Sequence, residues 1–319
     1  MSATANPQAP ERGRFAAGIL GPFHVTGVFW YRFHHLGARI VPRAALGPFI
    51  LVFTLFFSVA LRRIRKAIAS NLVAVLGPCG RLETERRIFR TLHAFAWCLT
   101  ERYEHLGPER DFDVVVENRE AWSEITADGK GFVVVTGHLG NWEIGSTMPS
   151  AKDGRTVHLV REEELDPRAQ EFISRLLRER MGPNYHSHFA SGDPRLGPRL
   201  LEALRGGALV ALQGDRPRSG GRTLTVGLFG RPFDLPEGPL ALARAAGVPL
   251  LPVVMLRKGR KRYVLRFGRP IRISDAVGRR AALFGGGREL AGFLESAIRE
   301  EPHQWFCFRR LWPAAPARR

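Results

Sequence analysis

A histidine and a glutamate stand five positions apart in the stretch Gly137-His138-Leu139-Gly140-Asn141-Trp142-Glu143. An imidazole and a carboxylate together can perform general-base catalysis. One ring nitrogen takes a proton from a hydroxyl, while the carboxylate holds the proton on the other nitrogen and steadies the imidazolium. No serine or cysteine nucleophile lies in the stretch, and Gly137 stands where the nucleophile elbow of a hydrolase needs a serine. Neither an HExxH pattern nor a cluster of further ligands accompanies His138, so no metal and no cofactor are expected.

Such a pair works only if the chain brings it together. Residues 132–135 form an apolar run ending at Thr136, which reads as a buried strand, and Asn141 is a good N-cap for a helix starting at Trp142. His138 is then expected at the C-terminal edge of a sheet, where open α/β folds bind ligands, with Glu143 in the first turn of the helix. Other short apolar runs at 114–116, 157–160, 208–212, 250–256 and 263–267 alternate with helical patterns around 168–180, 195–204, 238–246 and 288–299. The fold class expected is α/β, with a central mixed, largely parallel sheet flanked by helices. A longer amphipathic helix at 84–105 reads as scaffold.

The chain has 319 residues with 45% hydrophobic content, enough for a substantial core. Lys and Arg total 48 against 30 Asp and Glu, a formal charge of +18 that seeks polyanions or an acidic membrane face. Arginines from Arg216 to Arg231 interleave with glycines, but no zinc, RNP or helix-turn-helix pattern accompanies them, so they read as a solvated loop and no nucleic-acid partner is expected. Cys79, Cys98 and Cys307 are far apart and suggest ordinary thiols in a reducing compartment. The first fourteen residues lack the apolar core of a secretory signal. Residues 44–61 carry no charge and are followed by Arg62, Arg63, Arg65 and Lys66. They read as a membrane-associating helix, lying in the interface or spanning, with a buried core helix as the alternative. Aromatic and basic residues just before, from Phe23 to His35, suit a headgroup layer. The division expected is a membrane-associating segment over 1–68 and a catalytic domain over 69–319.

The stretch around His138 closely resembles the HxxxxE block of the bacterial lipid A late acyltransferases, a lysophospholipid acyltransferase-like family of lauroyl and myristoyl transferases. Further blocks agree in order. Arg161 ends the next strand, and Leu209-Val210-Ala211-Leu212-Gln213-Gly214-Asp215 runs into an aspartate. Pro236-Glu237-Gly238-Pro239 and Gly247-Val248-Pro249 follow, and Pro302-His303-Gln304-Trp305 resembles the C-terminal signature. Two departures stand out: Arg216 replaces a usual glutamine, and Glu162-Glu163-Glu164 is more acidic than the family tends to be.

The resemblance implies a membrane-associated O-acyltransferase at the cytoplasmic face of the bacterial inner membrane, acting as a monomer. It would move a fatty acyl chain from a thioester, on acyl carrier protein or coenzyme A, to a hydroxyl of a lipid-linked sugar such as a lipid A precursor. Another envelope lipid, such as a phosphatidylinositol mannoside, is an alternative acceptor, and a non-catalytic basic membrane-binding protein is the alternative outside enzymes. His138 would be the base and Glu143 its orienting partner. Arg161, Asp215, Gly238 and Asn141 would shape or bind substrate: Arg161 at a thioester oxygen or phosphate, Asp215 through a nearby arginine or as a cap of the turn at Pro217. Trp305 reads as packing. Arg216, Arg218 and Arg222 are candidate contacts for an acidic carrier protein.

Overall fold

The computed structural model describes residues 27–107, 111–147, 154–164, 166–190, 193–217 and 220–312. Its centre is a seven-stranded sheet built from β1 (Asp113–Glu117), β2 (Phe132–Thr136), β3 (Val157–Arg161), β4 (Tyr185–Phe189), β5 (Leu209–Gln213), β8 (Leu250–Gly259) and β9 (Arg262–Phe267). The strand order is β1-β9-β8-β2-β5-β3-β4. Strands β8, β2, β5, β3 and β4 run parallel, and β9 turns back antiparallel on β8 and brings β1 alongside it. The sheet is therefore mixed and largely parallel. The parallel strands share one C-terminal edge, which receives the residues that follow β2, β3 and β5.

Two apolar clusters sandwich the sheet. Helices α5 (Arg119–Thr126), α6 (Trp142–Thr147) and α7 (Pro167–Met181) flank it, with α8 (Leu196–Arg205), α9 (Gly238–Ala246) and the long α10 (Arg279–Glu300). Asp166 starts α7 as a cap, accepting from the Arg168 N–H, with Pro167 in the first turn. Helix α10 begins well before the pattern at 288–299, because it passes through Gly285-Gly286-Gly287, a run that weakens any helical reading. Packing overrides that preference: a Cβ at Gly286 would stand 2.3 Å from the Ile273 side chain.

Strand β4 escapes the sequence pattern because its core, His186-Ser187-His188, is polar and lies at the sheet edge. The arginine- and glycine-rich stretch expected to be a solvated loop is in part a hairpin. Strands β6 (Thr223–Leu228) and β7 (Arg231–Pro236) join through Phe229 and Gly230, both at positive φ, and bury Val226 and Leu228. Arg218 lies outside the described residues, as do Phe23 and His24.

Four helices precede the sheet: α1 (Val28–Ile40), α2 (Arg43–Ala60), α3 (Arg62–Leu76) and α4 (Arg81–Leu106). Helix α2 packs along α4 through Leu46, Ile50, Thr54 and Ser58, a stripe recurring every fourth residue. Its other face leaves Leu51, Val52, Leu55, Phe56 and Val59 exposed. Aromatic rings of α1 and α2 interlock, Trp30 with Phe53 and Phe57 and Phe33 with Phe53. The boundary expected at residue 68 falls inside α3, whose Asn71 donates to the carbonyls of Cys307 and Arg309.

Candidate active site

The loop leaving β2 is pinned from both sides. Gly140 bonds through its N–H to the Gln304 carbonyl, Asn141 N–H donates to the Met255 carbonyl, and Phe306 N–H donates to the His138 carbonyl. Only glycine fits at 140, where φ is +61° and a Cβ would stand 2.0 Å from the Met255 oxygen. This threading fixes His138 at the C-terminal edge of the sheet.

The carboxylate that holds the imidazole is Asp215, two residues past β5. Its Oδ1 lies 2.7 Å from His138 Nδ1, and its Oδ2 accepts from the His138 N–H at 2.9 Å and from Trp305 Nε1 at 3.0 Å. Parallel pairing of β2 with β5, Thr136 opposite Gln213, brings the two strand exits side by side. Asp215 is 1% exposed, so its charge depends on these contacts. Burial alone would raise the carboxyl, but the imidazole, its hydrogen bonds and the nearby Arg216 outweigh burial and hold the group well below the usual carboxylate range.

Glu143 does not fill the role expected of it. The imidazole hydrogen-bonds to Asp215 alone among the described residues, while the Glu143 carboxylate meets Arg102 Nε at 2.5 Å and Arg161 Nη2 at 3.0 Å. The physical reason is the pinned loop, which enters α6 with Glu143 turned toward α4 and β3. For Arg102, burial opposes the charge, but Glu143 and other neighbouring oxygens carry its pKa above the ordinary arginine value. Arg161 stacks over Trp142, and the Trp142 ring stands 6.3 Å from that of His138.

The other expected residues separate by role. The Asn141 side-chain amide donates to the Cys98 carbonyl and the Tyr263 hydroxyl, tying the loop to α4 and β9. Gly238 starts α9 and lies on the wall of the larger of two chambers at His138. That chamber, about 530 Å³, is lined by Leu196, Leu200, Leu212 and Leu242 with Arg216, Arg222 and Arg279 among its cations. The other, about 260 Å³, holds Glu143, Arg161, Arg102 and Phe306 on its walls. His138 belongs to both.

Sequence reasoning missed Arg102, hidden in a helix read as scaffold, and gave no role to Gln213. Trp305 packs in the core as read and also donates to Asp215. The signal available for Asp215 and Gln213 was positional, since both follow a strand whose C-terminal end shares the edge of His138. No group of three or more His, Cys, Asp or Glu that could hold a metal occurs among the described residues.

His138 and Asp215 thus meet at the carboxyl edge of the α/β sheet, beside a chamber with apolar walls and arginines among its lining. The chain belongs to the bacterial lipid A biosynthesis acyltransferase family, which it matches over residues 23–314. Two relatives, phosphatidylinositol mannoside acyltransferases of Mycobacterium tuberculosis strains CDC 1551 / Oshkosh and ATCC 25618 / H37Rv, are each 28% identical over 271 residues, 82% of this chain and 75% of theirs. The protein is an acyltransferase.

Proposed function

We propose that this acyltransferase moves a fatty acyl chain from a thioester, carried by acyl carrier protein or coenzyme A, to a hydroxyl of an envelope glycolipid, with His138 as the general base and Asp215 as its orienting carboxylate. The observation that carries this reading is the 2.7 Å contact from Asp215 to His138 Nδ1. It leaves Nε2 as the nitrogen to take the proton of the acceptor hydroxyl. The hydroxyl oxygen attacks the thioester carbonyl carbon directly, and the departing thiolate recovers the proton from the imidazolium. Glu143 is a positioning residue: it holds Arg161, and with it the Trp142 wall beside the imidazole. The acceptor is a lipid A precursor or a related lipid-linked sugar such as a phosphatidylinositol mannoside.

The protein works from one leaflet of the inner membrane, on its cytoplasmic side. Helix α2 is long and apolar enough to cross a bilayer by length and composition. Its eighteen residues rise about 27 Å, against a hydrocarbon layer of about 30 Å. A spanning α2 would leave α1 and α3 on opposite sides, yet both bind the catalytic body. Val28 N–H donates to Asp166 and the Tyr31 hydroxyl to Glu164 at one end, while Asn71 holds the C-terminal segment at the other. These ties support a helix lying in the interface, its exposed apolar face in lipid. Residues 27–80 contain seven Arg and Lys and no Asp or Glu, which suits an anionic leaflet.

The test is His138→Ala, assayed for transfer of a labelled palmitoyl group from each thioester to lipid A precursor and to phosphatidylinositol mannoside. Turnover should fall on the order of 10²- to 10⁴-fold with the fold and vesicle binding intact. Near-normal turnover would refute the general-base reading.

A further inference from the structure

Three buried donors on the walls of the 260 Å³ chamber have no hydrogen-bond acceptor among the described residues: Arg102 Nη2, Gln213 Nε2 and Arg216 Nε. An unpaired buried donor costs roughly 1–3 kcal/mol, so three around one chamber mark a place prepared for oxygen atoms absent from the folded chain itself. Arg102 is already charge-paired with Glu143, and Arg216 with Glu162. The side-chain nitrogen of Gln213 has no acceptor among the described residues.

Its position is specific. Gln213 ends β5 opposite Thr136, two residues before His138, and two residues before the Asp215 that orients the base. Its side chain forms part of both chambers at His138 and of a third, narrow apolar cavity of about 40 Å³ lined by Trp122, Trp142, Met255 and Phe267. Among the described residues, that is where the two chambers, the apolar slot and the base converge.

We propose that Gln213 is a catalytic residue: its side-chain amide donates a hydrogen bond to the thioester carbonyl oxygen and stabilises the oxyanion formed on attack. The inference rests on His138 as the base. As the acceptor oxygen bonds to the carbonyl carbon, the proton passes to His138 Nε2 and the C=O π pair moves onto oxygen. The negative charge then meets a neutral, pre-placed donor. Collapse of that intermediate restores C=O, breaks C–S and returns the proton to sulfur. A donor that is idle in the resting enzyme and engaged in the transition state lowers the barrier without tightening ground-state binding. Arg161, the cation the sequence offered for this oxygen, is instead engaged with Glu143 and stacked on Trp142.

The test uses Gln213→Leu and Gln213→Met, which keep most of the volume and lose the donor, assayed with whichever of palmitoyl-coenzyme A and palmitoyl-carrier protein supports turnover. Expected is a fall in kcat of about 10²- to 10³-fold with KM for the thioester changed by a few-fold at most. The melting temperature should hold or rise, because an unsatisfied buried donor has been removed. A second readout is the infrared carbonyl stretch of the isotopically labelled thioester bound to His138→Ala: a shift to lower frequency should appear there and vanish in His138→Ala/Gln213→Leu. A kcat within threefold of wild type would overturn the assignment. So would a lowered melting temperature, or loss of the fold in both variants, since those mark a packing residue. If His138→Ala is inactive while Gln213→Leu turns over normally, only the oxyanion donor falls. An active His138→Ala removes the base on which it rests.

Discussion

Asp215→Asn separates the two carboxylates most sharply. In the native site Oδ2 accepts from the His138 N–H and from Trp305 Nε1, while Oδ1 faces His138 Nδ1. An asparagine keeps two of these bonds by placing its oxygen at the Oδ2 position, and its NH₂ group then faces Nδ1. The ring responds by carrying its proton on Nε2, the atom that must be vacant to accept one from the substrate. Such a carboxylate-to-amide change in a catalytic triad lowers kcat about 10⁴-fold, or about 5.4 kcal/mol at 1.36 kcal/mol per decade. Shape and two hydrogen bonds survive, so the melting temperature should move little. Glu143→Gln should behave in the opposite way. It leaves the buried guanidiniums of Arg102 and Arg161 short of a charge, a loss of about 3–5 kcal/mol of stability and a fall of roughly 4–8 °C in melting temperature. The assay is initial-rate transfer of a radiolabelled palmitoyl group, with melting followed by circular dichroism on the same preparations. Asp215→Asn retaining more than a tenth of wild-type kcat, with Glu143→Gln inactive at unchanged melting temperature, would return the orienting role to Glu143.

Leu55→Asp and Val59→Asp, on the exposed face of α2, should release the protein from vesicles of phosphatidylcholine and phosphatidylglycerol while high salt alone leaves the wild type bound. Flotation of either variant with the vesicles would show that this face does not enter lipid. With acyl carrier protein as donor, kcat/KM should fall steeply between low and physiological ionic strength, and less so with the same chain on coenzyme A, because long-range attraction to a +18 protein acts on encounter rate. Equal salt dependence for the two donors would show that the positive surface does not steer the carrier protein to the site.

The sequence made the placement of His138 legible because strand and helix signals there are local: an apolar run, two glycines, and an asparagine before Trp142. The same logic located β2, β3, β5, β8, β9, α9 and most of α4 within a residue or a few of their bounds. It did not reveal which carboxylate meets the imidazole. Glu143 is near in sequence, but a helix entry points its side chain wherever the preceding loop is pinned, and that loop is held by Met255 and by the 304–306 segment far along the chain. Asp215 is distant in sequence and adjacent in space only because β5 pairs with β2, a neighbour relation that no single strand's pattern encodes.

The acidic run that departs from the family pattern acquires a physical reason from the same geometry. Glu162 meets Arg216 and Arg309, and Glu164 accepts from Tyr31 while approaching Arg161 at 3.8 Å. A mouth crowded with arginines would hold any anion indiscriminately, and pairing two of them with Glu162 leaves a surface nearer to neutral around the base. The Tyr31 contact does more. Helix α1 interlocks with α2 through aromatic rings, and through Tyr31 and Val28 it also grips the strand exit that carries Arg161 and lines the smaller chamber. The paired helices α1 and α2 and the wall of the smaller chamber are therefore parts of one packed unit. With the exposed face of α2 in lipid as proposed, the site would be held at a fixed geometry relative to that leaflet.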